Sequence, residues 1–380
     1  MAKQVRYGMV GGDVHAFIGE VHRKALNFDT RAELVAGCFS AVPEYNVETG
    51  EAYCVDPSRV YGDYNEMAQK EAAREDGIDF VTITTPNFLH YEISKAFLVA
   101  GINVVCEKPL CFEVAQAEEL QKLAEEKNLL FCVTYGYTGY AMASLIKEMI
   151  LNGKIGKIVA VNAEYVQDWL LDDLAPQEGF ELNLSVWRKE PKVAGISNCT
   201  GDIGSHIENF VYFATGLKIK RLLATQNSFG HPLDLNANII VEYDNGANGA
   251  YWCSQVASGH LNDFVVRIYG DQGGIEWKQE TPDSIRFTPK GGATQIISRG
   301  MGCIKEKAGS FNRIPAGHPE GLYVSFANIY QNYVTAVIRH KNGEDTSDLE
   351  FPRIQEGVDG VKFIHATVES AKNNSAWVEL

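Results

Sequence analysis

The first third of the chain alternates short apolar segments with longer amphipathic ones, and this alternation restricts the fold more than any other feature of the sequence. Helical periodicity occurs in stretches such as Phe88–Ala100 and Glu113–Lys127. Between the helical stretches lie apolar runs of strand length: Gln4–Val10, Glu33–Phe39, Phe80–Thr84, Asn103–Cys106 and Leu130–Val133. Strands that alternate with helices predict a parallel sheet covered by helices. We therefore expect residues 1–136 to form an α/β domain, a doubly wound Rossmann sheet that binds a dinucleotide.

After about residue 137 the pattern changes to one helix, Ala141–Asn152, followed mainly by β-like runs. These runs are Ile158–Asp168, Ile219–Ser228, Ala237–Tyr243, Ala247–Gln255, Asp263–Gly270 and Gly274–Trp277. Turn signals at 244–246 and 271–274 favour antiparallel connections between them. Two helical patterns, Leu322–His340 and Ile354–Asn373, end the chain, and we expect them to pack on this second part. Residues 137–380 are thus predicted to be an α+β domain with a large, open, mostly antiparallel sheet.

Charge and cysteine content exclude several classes of partner. The 380 residues carry a formal net charge of -15, which disfavours binding to nucleic acid or to an anionic membrane because both need basic patches. The eight cysteines form no C-x-x-C pair and have no histidine at zinc-ligand spacing, so we expect reduced thiols and no metal site. No charged segment followed by a long apolar one opens the chain, and we expect a cytoplasmic protein without a transmembrane span.

The first apolar run ends in a glycine-rich turn. Gly11 and Gly12 precede a helix expected to start near Ile18, the position where a Rossmann fold binds a pyrophosphate at a helix N-terminus. The strict G-x-G-x-x-G pattern is absent, because Asp13 occupies the second glycine position and two extra residues precede Gly19. An anionic side chain beside a pyrophosphate repels it unless it is turned away or paired. Taken alone, the same turn also fits a strand-to-helix connection that binds nothing.

Polar residues follow the other strands of the predicted sheet. Thr85, Pro86, Asn87 and His90 come directly after the third apolar run, where the ribose of a dinucleotide would lie, although a lone histidine there is also an ordinary helix residue. Ser40 follows the second run and could accept either NAD or NADP, but no Arg or Lys occurs within the next several residues to pair with a 2′-phosphate. This favours NAD over NADP as the cofactor.

Two short segments carry acid–base groups. Lys108, between Glu107 and Pro109, follows the fourth strand, at the sheet edge where a nicotinamide would sit. Asp202 and His206 are four residues apart and would share one face of a helix. The alternatives are a solvated surface lysine and a carboxylate that caps a helix with a chance histidine one turn later.

Together these segments resemble the Gfo/Idh/MocA family of oxidoreductases. The resemblance spans essentially the whole chain and lies in the stretch from Gly8 to Arg23, Thr85-Pro86-Asn87-x-x-His90, Glu107-Lys108-Pro109, Trp187-Arg188 and Gly201-Asp202-x-x-x-His206. It implies that Lys108, Asp202 and His206 are catalytic. It also implies cofactor contacts by Gly11, Gly12, Phe17, Ile18, Ser40, Thr85, Pro86, Asn87, His90, Glu107, Lys108, Trp187 and Arg188.

The resemblance extends to the substrate class. Residues Arg313–Gly321 are similar to a segment in the branch that contains levoglucosan dehydrogenase and some inositol dehydrogenases, which act on sugars, anhydro-sugars and cyclitols. It implies that His318 contacts the substrate together with Lys108, Asp202 and His206, although a loop histidine next to a proline also fits a structural role. The aromatic residues Tyr135, Tyr137 and Trp169 are candidates for stacking on a sugar ring, and packing between the domains explains them equally well.

The expected reaction is oxidation of a secondary ring hydroxyl, with hydride transfer to nicotinamide while a protein base removes the hydroxyl proton. His206 is the favoured base because an imidazole ordinarily titrates near neutral pH, with Asp202 orienting it or the substrate, and Lys108 is the alternative base. A redox-assisted lyase or glycosidase that retains NAD would use the same residues, and a sugar-sensing regulator would have kept only the fold. By resemblance we expect a homodimer or homotetramer.

Overall fold

The computed structural model describes residues 5–174, 190–302, 304 and 306–380. The chain divides into two compact units. The first unit contains the chain up to Gly139 together with Leu322–Asp359, and the second contains Tyr140–Gly321 together with Gly360–Leu380.

The first unit is built on a parallel sheet. Its strands are β1 (Val5–Gly11), β2 (Ala32–Cys38), β3 (Phe80–Thr84), β4 (Asn103–Glu107) and β5 (Phe131–Thr134). Their order is β2-β1-β3-β4-β5, and each neighbouring pair is parallel. The central strands β3 and β4 are buried throughout, as expected for a sheet with helices on both faces. The predicted doubly wound α/β fold is confirmed. Because the chain leaves β1 for β2 on one side and returns to β3 on the other, the carboxyl end of β1 is the ligand-binding edge.

Local sequence signals explain where several helices of this unit begin. The helices are α1 (Phe17–Asn27), α2 (Pro43–Ala52), α3 (Tyr64–Ala72), α4 (His90–Val99) and α5 (Val114–Glu126), with short 3₁₀ turns at Pro57–Arg59, Asn87–Leu89 and Gly136–Gly139. The side chain of Asp63 accepts a hydrogen bond from the backbone N–H of Glu66 and so caps α3. Glu113 and Gln116 form a capping box at the start of α5.

Two long helices lie in the C-terminal part, α11 (Leu322–Lys341) and α12 (Ile354–Lys372). The expectation that both pack on the second domain is wrong for α11. This helix packs against α1 and the 3₁₀ turn Gly136–Gly139, and its buried residues Phe326, Tyr330 and Tyr333 join the core of the first unit. The sequence pattern of α11 shows that the helix has an apolar face, but it does not show which surface that face packs against. That surface belongs to the first unit. Helix α12 has its first residues in the first unit and the rest in the second.

The second unit is built on a nine-stranded sheet. Its strands are β6 (Ile158–Val166), β7 (Ile219–Asn227), β8 (Asn236–Tyr243), β9 (Asn248–Ser254), β10 (Asp263–Gly270), β11 (Gly273–Lys278), β12 (Ser284–Pro289), β13 (Gln295–Ser298) and β14 (Val378–Glu379). The order is β13-β12-β11-β10-β6-β9-β8-β7-β14. Among the described strands of this sheet, only β6 and β9 pair in parallel. The predicted mostly antiparallel sheet is confirmed.

Helices cover one face of this sheet. The other helices in the described part of the chain are α6 (Ala141–Leu151), α7 (Leu171–Leu174), α8 (Pro191–Ala194), α9 (Ser205–Thr215) and α10 (Glu306–Ser310), and a π-helical turn, Thr200–Gly204, leads into α9. Phe210 of α9 stacks on Trp277 with 4.7 Å between ring centroids and meets Phe264 edge-on. Burial of each such ring stabilises the fold by roughly 1.5–3 kcal/mol, which fixes α9 on the sheet. No helix within the described ranges is long and apolar enough to cross a membrane.

Candidate active site

The glycine turn after β1 has a backbone that only glycine adopts easily. Gly11 and Gly12 have φ angles of 77° and 72°, in the left-handed region. A Cβ atom on Gly19 of α1 would lie 2.2 Å from the Cα atom of Gly12, so the helix begins in direct contact with the turn. This close approach brings the N-terminus of α1 to the carboxyl end of β1, where backbone N–H groups can bind a phosphate.

Asp13 has a local partner inside this turn. Its carboxylate accepts a hydrogen bond of 3.0 Å from the backbone N–H of His15. The hydroxyl of Tyr53 donates to the carbonyl oxygen of Gly12 and so braces the turn against the residues that follow α2. Phe17 and Ile18 are the first two residues of α1, and 68% of Phe17 is exposed. The structure thus gives the unexpected aspartate a role in shaping the turn.

The end of β3 lies beside the glycine turn. Gly11 pairs with Thr84, and a Cβ atom on Gly11 would lie 3.0 Å from Thr85. The hydroxyl oxygen of Thr85 is buried and has no hydrogen-bond partner among the described residues. A glycine cradle beside an unsatisfied buried hydroxyl fits a polar ligand such as the phosphate or ribose of a dinucleotide. Pro86 and Asn87 follow at the same edge, and both are half-buried.

His90 is buried at the start of α4 and bridges two loops. Its Nε2 atom lies 2.9 Å from the carbonyl oxygen of Thr85, and its Nδ1 atom lies 2.8 Å from that of Pro109. Burial lowers the pKa of His90, and the bonds to the two carbonyl groups only partly oppose this shift. The imidazole therefore ties the Thr85 loop to the segment that follows Lys108. A contact between His90 and the cofactor stays a prediction.

Glu107 lies in the interior of the first unit. Its carboxylate accepts hydrogen bonds from Nε2 of His22, at 2.8 Å, and from the hydroxyl of Thr134, at 2.5 Å. The hydroxyl of Tyr330 lies 2.5 Å from Nδ1 of His22. These contacts anchor the end of β4, directly before the half-buried Lys108. A cofactor contact by Glu107 stays a prediction, and its surroundings indicate support of the Lys108 segment.

Ser40 follows β2 and lines a cavity of about 340 Å³. Its hydroxyl accepts a hydrogen bond of 3.4 Å from the backbone N–H of Val42. The cavity lining contains the carboxylate of Glu51 and, among the described residues, no Arg or Lys. A 2′-phosphate would find no cation in this lining, which agrees with the preference for NAD.

In the second unit, Asp202 lies in the π-helical turn and His206 is the second residue of α9. The N-cap position of α9 is Gly204, so Asp202 does not cap this helix. Its Oδ2 atom accepts a hydrogen bond of 2.9 Å from the side-chain amide of Gln255. The alternative of a simple capping carboxylate is therefore wrong.

A row of polar side chains extends beside His206. The ring of Tyr165 lies 6.0 Å from the imidazole of His206, centroid to centroid. The hydroxyl of Tyr165 and the amide of Gln167 both donate to the side-chain oxygen of Asn262, and Trp169 donates its indole N–H to Gln167. Amide groups beside aromatic rings suit a ligand that carries several hydroxyl groups.

The segment Arg313–Gly321 is organised by one buried arginine. The guanidinium of Arg299 donates to the carbonyl oxygens of Ile314 and His318 and pairs with the carboxylates of Asp283 and Glu320. Glu320 in turn accepts from the backbone N–H groups of Arg313 and Ile314. The imidazole of His318 is exposed at the surface of this segment.

The other predicted site residues are distributed as follows. Lys108 belongs to the first unit, and Asp202, His206 and Trp169 belong to the second. Tyr135 and Tyr137 are buried in the first unit, around the 3₁₀ turn before α6. Trp187 and Arg188 lie outside the described residues. Their proposed contacts with the cofactor stay predictions.

Several polar residues that connect to Asp202 or to Tyr165 were not singled out from the sequence. They are Asn198, Asp234, Gln255, Asn262 and Gln167. The available signal is a polar side chain at the end of an apolar strand, as at Gln255 after β9 and Gln167 after β6. These residues are far apart in the sequence, so only the folded structure shows that they are close in space.

The fold and the glycine turn define a protein with a dinucleotide-binding domain followed by an α+β domain. Residues 5–135 match the family model for the oxidoreductase family with an NAD-binding Rossmann fold, and residues 144–276 match the GFO/IDH/MocA C-terminal domain. The chain is therefore an NAD-binding oxidoreductase. It belongs to the Gfo/Idh/MocA family, as the sequence motifs indicated.

Similar proteins cover the full length of the chain. It is 37% identical to the uncharacterized oxidoreductase YfiI of Bacillus subtilis (strain 168), over 100% of this chain and 98% of the relative. An inositol dehydrogenase homolog from Azotobacter vinelandii, in complex with NADH and myo-inositol, superposes with a TM-score of 0.93 at 35% identity and covers 100% of this chain and 98% of its own. Levoglucosan dehydrogenase of Pseudarthrobacter phenanthrenivorans is 25% identical over 75% of this chain and 76% of its own length.

Proposed function

We propose that this oxidoreductase oxidises a secondary ring hydroxyl of a cyclitol, sugar or anhydro-sugar. The observation that carries the proposal is the set of groups beside β6 in the second unit: the carboxylate of Asp202, the imidazole of His206 and a row of amide and aromatic side chains. Full-length similarity to a protein whose structure contains NADH and myo-inositol supports the same substrate class.

The residues of the first unit fit NAD. Gly11, Gly12 and the N-terminus of α1 would hold its pyrophosphate, and the hydroxyl of Thr85 would gain a partner there. The hydroxyl of Ser40 would form a hydrogen bond with the ribose that carries the adenine. Bound NAD supplies the acceptor for a hydride leaving the substrate carbon. In the same step the hydroxyl loses its proton to a protein base and the C–O bond becomes a carbonyl, so the substrate loses two electrons with the hydride from carbon and, separately, one proton from oxygen.

Three side chains provide the acid–base and electrostatic groups for this reaction. His206 receives the hydroxyl proton at a ring nitrogen, because a neutral imidazole is a base near physiological pH. Asp202 accepts hydrogen bonds from the substrate hydroxyls and orients the ring. Lys108, as an ammonium, stabilises the negative charge that develops on the oxygen as the proton leaves. The aromatic residues Tyr137 and Trp169 and the imidazole of His318 complete the substrate contacts.

The test is absorbance of reduced nicotinamide with purified protein and a panel of substrates: myo-inositol, scyllo-inositol, levoglucosan, glucose and simple glycosides, each with NAD and with NADP. We expect turnover with at least one cyclitol or sugar and with NAD preferred. Lys108→Met and His206→Asn should lower kcat by at least about 100-fold, the usual contribution of a positioned acid–base group.

Matched surface variants serve as controls for these substitutions. Lys95→Met changes a lysine on α4 that pairs with Glu119, and His340→Asn changes a histidine in the last turn of α11. Both should keep wild-type kcat. Binding of NAD without net reduction on any substrate would overturn the proposal and favour a redox-assisted lyase or a sugar sensor, and a test for elimination or glycoside cleavage products would separate those two.

A further inference from the structure

Gln255 is a completely buried side chain that the proposed reaction does not use, yet it contacts the carboxylate of Asp202. It follows β9 directly, and its exposed fraction is 0%. Its Nε2 atom donates to Oδ2 of Asp202 at 2.9 Å, and its Oε1 atom accepts from Nδ2 of Asn198 at 2.7 Å. Because both ends of the amide are bonded, the side chain is held in one position.

Asn198, the second partner of Gln255, is itself held by the buried carboxylate of Asp234. Asp234 accepts four hydrogen bonds of 2.8–2.9 Å: from the hydroxyl and backbone N–H of Thr200, the hydroxyl of Ser197 and the backbone N–H of Asn198. A continuous series of polar contacts therefore runs from Asp234 through Asn198 and Gln255 to Asp202. Satisfied buried networks of this kind rigidify the groups at their ends.

The direction of these hydrogen bonds depends on the charge of Asp202. An ionised carboxylate only accepts, so it requires the NH₂ group of Gln255 to face it and the carbonyl oxygen of Gln255 to face Asn198. A protonated Asp202 could instead donate to Gln255, and both amides would turn over. The arrangement with Gln255 donating is thus matched to an ionised Asp202.

We propose that Gln255, held by Asn198, is a positioning residue that keeps Asp202 a hydrogen-bond acceptor with a fixed orientation toward the substrate hydroxyls. The inference rests on the proposed function, because it assigns Asp202 to substrate binding. Gln255 does not touch the reacting atoms, and its effect on the reaction passes through Asp202.

Several titratable groups surround this network. His206 is on α9, Tyr165 is on β6 and Cys253 is on β9, three elements that pack against the π turn. Asp234 and the thiol of Cys199 lie on the loops beside the turn. Glu in place of Gln255 would put a second carboxyl group beside Asp202, and two adjacent carboxyl groups hold a shared proton more tightly than either one alone.

The experiment compares Gln255→Leu and Gln255→Glu with the wild-type enzyme, using the substrate that the panel identifies. We expect Gln255→Leu to lower kcat/KM for the substrate about tenfold, equivalent to one lost hydrogen bond to a charged group, with KM for NAD unchanged. We expect Gln255→Glu to move the inflection that Asp202 contributes to the acidic limb of the kcat/KM profile upward by about one pH unit, apart from the inflection of the base His206.

The matched control is Gln226, a half-buried amide that donates to the hydroxyl of Thr200 and lies outside the series of contacts from Asp234 to Asp202. Gln226→Leu and Gln226→Glu should leave kcat/KM and the acidic limb unchanged. An acidic limb that moves equally in Gln226→Glu, or one that stays in place in Gln255→Glu, would overturn the inference.

A second readout is independent of turnover. In protein labelled with [¹⁵Nε]glutamine, the side-chain amide signal lost in Gln255→Leu should change with pH in the wild type and stay constant in Asp202→Asn. A wild type that oxidises no substrate in the panel would defeat the proposed function while this titration still tests the contact. If the chemical shift of this amide does not change with pH in the wild type, the proposed role of Gln255 is wrong.

Discussion

Gly19 controls the shape of the glycine turn at the level of a single atom. A Cβ atom there would lie 2.2 Å from the Cα atom of Gly12, and backbone cannot move away as a flexible side chain would. We expect Gly19→Ala to destabilise the fold by about 1–3 kcal/mol and to weaken NAD binding at least tenfold, because α1 must shift from the turn. Titration of NADH fluorescence and thermal denaturation measure the two effects.

The control for this substitution is Gly302→Ala, since a Cβ atom on Gly302 would meet no atom of the described residues within 4 Å. This variant should bind NADH as the wild type does. Wild-type affinity in Gly19→Ala would contradict the assignment of the glycine turn to the cofactor.

Ionisation of the Glu107 carboxyl group makes the free energy of unfolding depend on pH. Burial alone would raise its pKa, but the bonds from His22 and Thr134 and the charges of His22 and Lys108 outweigh burial, and the net pKa lies below the ordinary value of 4.5. A carboxyl group with a lowered pKa in the folded state contributes stability that is complete above about pH 4.5 and is lost as pH falls through the folded-state value. We expect Glu107→Gln to cost about 1–3 kcal/mol at pH 7, with the deficit shrinking below about pH 4.5.

Thermal denaturation of both proteins between pH 3 and pH 7 checks this expectation. Glu125→Gln, an exposed carboxylate on α5, is the control and should match the wild type throughout. A deficit in Glu107→Gln that is the same at every pH would show that the carboxylate charge is not what stabilises the network.

Single residues also show what the sequence could and could not predict about the candidate site. Lys108, Asp202 and His206 could be singled out because each lies in a short motif beside a strand or helix end. Gln255 and Asp234 could not, since each lies more than 30 positions from the residue that it contacts and neither belongs to a recognisable motif. The role of Asp13 in its turn was likewise hidden, because it depends on a hydrogen bond to backbone.

At the scale of elements, apolar content decided which strands could be predicted. Strands β3 and β10 were predicted with their observed bounds, because their apolar runs end at clear turn signals. Strands β12 and β13 were missed because each is short: β12 has six residues, although its alternation of polar and apolar residues is a strand pattern, and β13 has four. Helix α2 was also missed, because β-branched residues and Gly50 weaken its helical pattern.

Arg299 determines the conformation of the element that carries His318. Its guanidinium donates hydrogen bonds to two carbonyl groups and pairs with two carboxylates. The ammonium of a lysine cannot make all of these bonds at once, because it lacks the planar array of N–H groups. We expect Arg299→Lys to raise KM for the substrate about tenfold, equivalent to about 1.4 kcal/mol, with KM for NAD unchanged. We also expect faster proteolysis within Arg313–Gly321. Steady-state kinetics and limited digestion with mass spectrometry measure both.

The control is Arg286→Lys on β12, where the arginine is largely exposed beside Glu276. This variant should leave kinetics and digestion unchanged. If Arg299→Lys opens the segment to protease and KM for the substrate stays at its wild-type value, then His318 does not contribute to substrate binding.

At the scale of the whole molecule, the nine-stranded sheet has one face packed by helices and one that we call the open face. One row across the open face contains Leu223, Ile240, Ala250, Asn162, Arg267, Glu276, Arg286 and Ile296, in register from β7 to β13. Its charged half is internally paired, as Arg267 bonds Glu164 and Glu276. The end of the row on β7, β8 and β9 is apolar, with Leu223, Ile240 and Ala250, and 41% of Ile240 is exposed.

An apolar patch on a broad sheet is a suitable surface for a second copy of the same chain, because identical patches can pair about a two-fold axis. We expect a homodimer or homotetramer, with a mass by light scattering of two or four times 42.0 kDa. Ile240→Lys should dissociate it, since the substitution places a charge in the centre of the patch. Leu151→Lys, on α6 where the leucine is 75% exposed, is the control and should keep the wild-type mass. A monomeric wild type would contradict the expected assembly, and an Ile240→Lys variant that keeps the wild-type mass would place the interface elsewhere.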